Sequence, residues 1–413
     1  MKQIKHFFNK KLLTIFFLGI ASGLPLSLVL STLKAMLTDK GFDLQTIGFF
    51  SIITAAYSLK FFFAPIIDSF SIPYLTKRLG QRRSWIIVTQ LALIFSIIML
   101  GIAGESGNLL LITIFAFCVS FSSASQDIVI DGYRIELIEQ ELQGVAASFY
   151  TYGYHIGLLI SGAFALLLSD HFNWQIVYVL MASIMALALI NSLLASETRK
   201  NWKKTNYNFI NWSKNYVVAP ISDFIKKPQW YFVLLFIICF KLGDVFAGSL
   251  TVPFLLELQF SKTEIAAIVK SFGLVATLIG VGFGGILVKK IGVYKSLWIA
   301  GFAQMLSNLA FSYLAQIGHD SEVLYFVIFA ENFSSGIGSA VFVAYLSNLC
   351  NISFSATQYA ILSSFASLSR SLFASSAGTF AVALGWYNFF IFSTFLAIPG
   401  LIFLLIIRKN KHA

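Results

Sequence analysis

SGNLLLITIFAFCVSFSSASQDIVIDGYR, residues 106–134, decides how this chain is to be read. Residues 106–126 carry no charge, and roughly 20 apolar residues in a helix cross the hydrocarbon core of a bilayer. Asp127, Asp131 and Arg134 follow at once. A spacing of i, i+4 and i+3 puts all three on one helix face. A passive anchor has no use for such a face.

The rest of the chain agrees. Of its 413 residues 58% are hydrophobic, 16% aromatic and only 11% charged, against roughly 25% charged in a soluble domain. Mean hydropathy is +0.81. A soluble fold must show water a large polar share of its surface, so a cytosolic enzyme, a nucleic-acid binder and a disordered chain are excluded. Cys118, Cys239 and Cys350 lie singly in apolar runs without a CxxC spacing. They point to packing rather than to disulfides or a metal.

Reading outward, residues 12–33, 84–104, 142–169, 172–196 and 296–318 are also uncharged. Residues 44–67 carry only Lys60, 229–256 carry Lys241 and Asp244, and 265–288 carry Lys270. The long apolar stretches beyond 322 divide at Asn351-Ile-Ser-Phe-Ser and Gly385-Trp-Tyr-Asn388 into 323–350, 355–383 and 386–407. The sequence therefore predicts an all-α membrane protein of twelve spans, numbered here in chain order. The first is a retained helix and not a signal peptide, because its apolar core exceeds a signal h-region and no A-x-A site follows.

Basic residues choose the orientation. Four lysines precede span 1, and Lys77, Arg78, Arg82 and Arg83 fill the 2–3 loop. Seven basic residues from Arg199 to Lys227 lie between spans 6 and 7, and Lys289, Lys290 and Lys295 lie between spans 8 and 9. Arg408, Lys409 and Lys411 close the chain, whereas the opposite loops hold few, Lys40 and Lys262 among them. Both termini are expected in the cytoplasm, so the net charge of +11 is a topology signal.

The polar stretch 197–228 divides the chain into six-span halves, 1–196 and 229–413. Its segment 216–227 mixes apolar and basic residues and should lie at the cytoplasmic interface. The halves look weakly repeated: Asp68 and Arg78-Leu-Gly-Gln-Arg-Arg83 follow span 2, and Gly284-Gly-Ile-Leu-Val-Lys-Lys-Ile-Gly292 follows span 8. A basic glycine-containing loop between the second and third helix of each half is a feature of major facilitator transporters, whose substrate sits between two rocking halves.

Eight ionisable side chains fall inside spans: Lys60, Asp127, Asp131, Lys241, Asp244, Lys270, Glu331 and Arg370. Each costs about 2.5–3.5 kcal/mol at a lipid-facing helix centre, so they must face water or each other. Asp127 and Asp131 cannot both ionise easily, which suits proton carriage. Asp131 with Arg134 reads equally as a pair pinning the end of span 4. Lys241 and Asp244, one turn apart, should neutralise each other. Glu331, beside Asn332, needs an opposite charge on another helix, with Lys270 and Arg370 as candidates, or must be protonated. Lys60 is near enough to a membrane face to snorkel. His155 is the only histidine within a span. The small-residue runs Ser22-Gly23, Gly280–Gly285 and Gly336-Ile-Gly338 suit close helix contact. Walker A, HExxH and GxSxG motifs do not occur, so transport draws on a gradient and no cofactor is expected.

Several stretches together resemble the AmpG muropeptide permeases, a branch of the major facilitator superfamily. They are Gly19-Ile-Ala-Ser-Gly-Leu-Pro25, Asp43-Leu-Gln-Thr-Ile-Gly48, Lys60-Phe-Phe-Phe-Ala-Pro65, Ser123-Ala-Ser-Gln-Asp-Ile-Val129, Lys241-Leu-Gly-Asp244, Glu331-Asn332 and Ser353-Phe-Ser-Ala-Thr-Gln358. The resemblance implies two six-helix halves and proton-driven import of anhydromuropeptides across a bacterial inner membrane by a monomer. It carries function onto Asp127, Asp244 and Glu331 as proton-coupling acids. Gln126, Lys241, Asn332, Lys270, Arg370, Tyr154 and His155 become candidate substrate contacts. Asp68, Arg82, Arg83, Asp131 and Arg134 become structural or gating residues. Gly153-Tyr154-His155 stands where the family often has Gly-Tyr-Arg, and some members continue with two further spans beyond the point where this chain stops. Acetyl-coenzyme A transporters share a related QDI-x-x-D-G element, so acetyl-coenzyme A or another anionic metabolite is the alternative substrate. An intramembrane enzyme acting on lipid-linked sugars is the alternative class.

Overall fold

The computed structural model describes residues 10–50, 53, 55–198 and 208–409, and no strand occurs among them. Lys2 and Lys5, linker residues 199–207 and Lys411 lie outside the described residues. Nine helical stretches among the described residues are long and apolar enough to cross a membrane. Two of them, Lys262–Ile317 and Ile352–Ile407, run for 56 residues each, about twice one crossing. Each folds back at a glycine of positive φ, Gly292 (φ 81°, ψ 160°) and Gly385 (φ 72°, ψ 159°). Span 2 is the remaining crossing, built of short pieces at Leu44–Phe49, Ala55–Ser58, Lys60–Phe62 and Ala64–Ser69. Twelve spans result, as the hydropathy pattern predicts.

The weak repeat has a backbone counterpart. Gly80, in the 2–3 loop, has φ 87° and ψ 174°, close to the values at Gly292 in the 8–9 loop. Only glycine adopts that conformation without strain. Side-chain caps start several helices: Asn108 accepts from the amides of Leu110 and Leu111, and Asn173 from that of Ile176. Asp43 accepts from the amides of Gln45 and Thr46, both at 2.9 Å, at the start of span 2.

The chain forms two compact units. The first comprises Met1–Gln140, Phe149–Pro220 and Cys350–Ser364; the second comprises Glu141–Ser148, Ile221–Leu349 and Phe365–Ala413. Each therefore includes a short segment from far along the chain. The first unit's core is aliphatic, with Leu28, Leu33, Leu93, Leu100 and Met181 fully buried. The second's is aromatic, with Phe254, Phe311, Phe389 and Phe390. Within a membrane such packing rests on van der Waals fit, which small residues improve. A Cβ on Gly153 would lie 2.0 Å from the carbonyl oxygen of Phe16, and one on Gly336 would lie 2.3 Å from that of Thr277. Spans 1 and 5, and spans 8 and 10, touch backbone to backbone there.

Candidate functional site

Three polar clusters occupy the helices. The first surrounds Asp127. Ser22, on span 1, donates to Asp127 Oδ1 at 2.5 Å and lies 2.8 Å from the hydroxyl of Tyr150 on span 5. Gln126 is fully buried and spends its amide on the carbonyl of Ala21 at 2.9 Å. Asp131 has two cations: Arg134 at 3.4 Å and Lys60 at 3.7 Å. The Lys60 side chain is only 12% exposed, so it does not snorkel to a membrane face. The break in span 2 turns it inward to span 4. Arg134 is fully buried and lies over the rings of Tyr150 and Tyr359, 5.4 and 5.3 Å from their centroids. Tyr154 and His155 follow one turn along span 5, their rings edge to face at 6.1 Å.

The second cluster sits where span 2 meets the 2–3 loop. Arg82 is fully buried and bonds Asp68 at 2.6 Å and Glu136 at 2.7 Å. Asp68 also accepts the amide and hydroxyl of Thr357, at 2.8 and 2.6 Å, and Glu136 accepts from Ser355 at 2.5 Å. These are the first residues of span 11, so two carboxylates stand at a helix N-terminus, where its free amides favour negative charge. Arg83 works at the other polarity. Its guanidinium donates to the carbonyls of Ser192 and Leu193, at the C-terminal end of span 6.

The third cluster belongs to the second unit. Lys241 and Asp244 are not an ion pair. Lys241 donates to Ser339 at 2.8 Å, while Asp244 accepts from Ser335 at 3.1 Å and Gln304 at 3.2 Å. The reason is a break in span 7: one helix ends at Cys239, the next begins at Leu242, and Lys241 sits between them at φ −108°, ψ 10°. Regular i, i+3 geometry is lost there. Glu331 accepts from the side chain of Asn332 at 2.5 Å, and Asn332 accepts from Thr277 at 3.0 Å. Glu331 forms no ion pair among the described residues, with neither Lys270 nor Arg370. Lys270 is exposed on the π-helical turn Ala266–Phe272. Arg370 donates to Ala366 and Ser367 on its own helix, and its charge acts on Lys241 and Asp244 through space. Hydroxyl and amide groups thus hold Lys241, Glu331 and one oxygen of Asp244, while Lys241 and Asp244 act on each other only through space.

Sequence reasoning missed the groups that hold these charges: Ser22, Tyr150, Glu136, Ser355, Thr357, Tyr359, Gln304, Ser335 and Ser339. Ser335 and Ser339 carried a usable signal, an i, i+4 spacing on one face of span 10. Glu136 lies past the apolar core of span 4, where charge is unremarkable.

The Major Facilitator Superfamily model matches residues 15–374. A putative AmpG 4 transporter of Rickettsia felis is 39% identical, over 99% of both chains. The anhydromuropeptide permease of Escherichia coli K12 is 38% identical, over 95% of this chain and 79% of its own. Among solved structures, the fucose transporter FucP in its outward conformation superposes with a TM-score of 0.70 at 15% identity, covering 96% of this chain and 97% of its own. The human organic anion transporter MFSD10 gives the same TM-score at 13% identity, over 96% and 99%. These likenesses carry the twelve-helix fold, and the closer relatives carry the branch: the chain belongs to the AmpG permease family of the Major Facilitator Superfamily.

Proposed function

We propose that this protein imports anhydromuropeptides, N-acetylglucosaminyl-anhydro-N-acetylmuramyl peptides, across a bacterial inner membrane, driven by protons. Both termini and residues 197–228 face the cytoplasm. The observation that carries the reading is the state of the charges in the spans. Asp127, Lys241, Asp244 and Glu331 are held by hydroxyl or amide groups rather than by an opposite charge in direct contact. Such groups can still exchange a proton or meet a charged substrate, whereas a closed ion pair cannot do either without breaking.

Asp127 is the proton site of the first unit, and Asp244 and Glu331 are the acids of the second. Lys241 and Arg370 offer positive charge to a substrate carboxylate, with Asn332, Tyr154, His155, Gln126 and Lys270 as further contacts. Arg82, with Asp68 and Glu136, anchors the start of span 11. The chemistry is transport: the substrate crosses unaltered, and no cofactor enters the account.

Counterflow in proteoliposomes tests this reading. Vesicles loaded with unlabelled anhydromuropeptide should take up the labelled compound unchanged. Exchange of acetyl-coenzyme A instead would reassign the substrate, and altered product would reassign the class to an enzyme.

A further inference from the structure

Ser22 and Tyr150 do more than hold Asp127: they join it to Arg134. Ser22 is 1% exposed. Its oxygen stands 2.5 Å from Asp127 Oδ1 and 2.8 Å from the Tyr150 hydroxyl. The ring of Tyr150 lies against Arg134, and Tyr359, in the first turns of span 11, lies against the same guanidinium.

A serine hydroxyl has one proton to give. An ionised carboxylate can only accept. While Asp127 is charged, Ser22 must donate to it and accept from Tyr150. When Asp127 takes up a proton on Oδ1, the acid donates to Ser22. The serine proton then turns to the phenol oxygen, and Tyr150 changes from donor to acceptor. One proton has been bound, by Asp127 alone; both hydroxyls keep theirs and rotate. A phenol that donates has a more electron-rich ring than one that accepts, so Tyr150 holds Arg134 more tightly while Asp127 is charged.

We propose that Ser22 and Tyr150 form a hydrogen-bond relay that passes the protonation state of Asp127 to the Tyr150–Arg134–Tyr359 clamp. Both are positioning residues for proton coupling. The inference rests on the reading of Asp127 as the proton site. The other groups acting on Asp127 are Lys60 and Tyr57 on span 2 and Asp131 on its own helix; Tyr154, on span 5, acts on Tyr57. None of them is altered by removing a hydroxyl from Ser22 or Tyr150.

The test compares the parent with Ser22→Ala, Tyr150→Phe, the double variant and Asp127→Asn in proteoliposomes, using labelled anhydromuropeptide. Accumulation against a gradient is measured over a series of pH values, alongside counterflow and folded yield. The ratio of accumulation to counterflow should fall about tenfold in Ser22→Ala, which removes a hydrogen bond to a charged group, and by less in Tyr150→Phe, which removes one between two hydroxyls. The pH midpoint of accumulation should move in the same direction in both, by about one unit in Ser22→Ala. The double variant should be no worse than the worse single, because both act in one chain. If Ser22→Ala is not recovered folded, Tyr150→Phe decides alone, since it deletes one oxygen and keeps the ring on Arg134. Additive losses, or a Tyr150→Phe profile equal to the parent's while Asp127→Asn has lost accumulation, would overturn the relay alone. Accumulation by Asp127→Asn would overturn the proton site itself and the relay with it.

Discussion

Lys241 and Asp244 stand three residues apart and turn to the same helix, span 10, rather than to each other: Lys241 donates to Ser339, and Asp244 accepts from Ser335. Two opposite charges in one membrane segment normally cancel. Here each is held by a hydroxyl, four residues apart on a shared face.

A consequence is testable by a double-mutant cycle. Lys241→Met and Asp244→Leu should each abolish transport, and the double variant should recover none of it. In a direct ion pair, removing both partners relieves the stranded charge. Separate roles leave nothing for the second substitution to restore. Transport restored in the double variant would contradict the geometry.

The Arg82 cluster leads to a stability prediction. Arg82 is fully buried between Asp68 and Glu136. Arg82→Met removes a fully buried cation shared by two carboxylates and should cost about 3–5 kcal/mol. Arg82→Lys should recover only part of this, because an ammonium lacks the planar fork that reaches both acids. Thermal unfolding in detergent reads both. Equal melting of Arg82→Lys and the parent would count against the fork.

Asp43 supplies a pH dependence. It lies outside the spans, and the amide of Thr46 at the start of span 2 holds its carboxyl below the usual range. A depressed acid adds stability above its unfolded value, about 4, and loses it as pH falls through the folded value. Asp43→Ala should therefore melt below the parent at neutral pH, and the gap should close on acidification. A gap that persists in acid would mean that the carboxylate is not the cause.

Much of this was legible in the sequence, and the limit has a physical form. Hydropathy and loop charge count residues along the chain, so they find the crossings; turns at Gly292 and Gly385 fall between spans where expected. Hydropathy could not see that span 2 is broken, which is why Lys60 was expected at a membrane face instead of beside Asp131. Helical spacing assumes an unbroken helix, and the interruption after Cys239 defeats it at Lys241. The acids and cations were visible because charge is rare in a span. Their hydroxyl partners were not, because serine and threonine are common in membrane helices and look like packing residues.

The basic loops make a topology prediction. Reporter fusions at Asn206 and His412 should report the cytoplasm, and one at Gly107 the opposite side. The 2–3, 6–7 and 8–9 loops then share a face, as the positive-inside rule requires. An external signal at Asn206 would break the division into two six-span halves.

Proton-driven import through Asp127 is read out by uptake of labelled anhydromuropeptide into proteoliposomes under an imposed inward proton gradient. The parent should accumulate the compound above the outside concentration, a protonophore should abolish this accumulation, and Asp127→Asn should fail to accumulate while folded protein is still recovered. Accumulation by Asp127→Asn equal to the parent's, or parent uptake that ignores the protonophore, would contradict it.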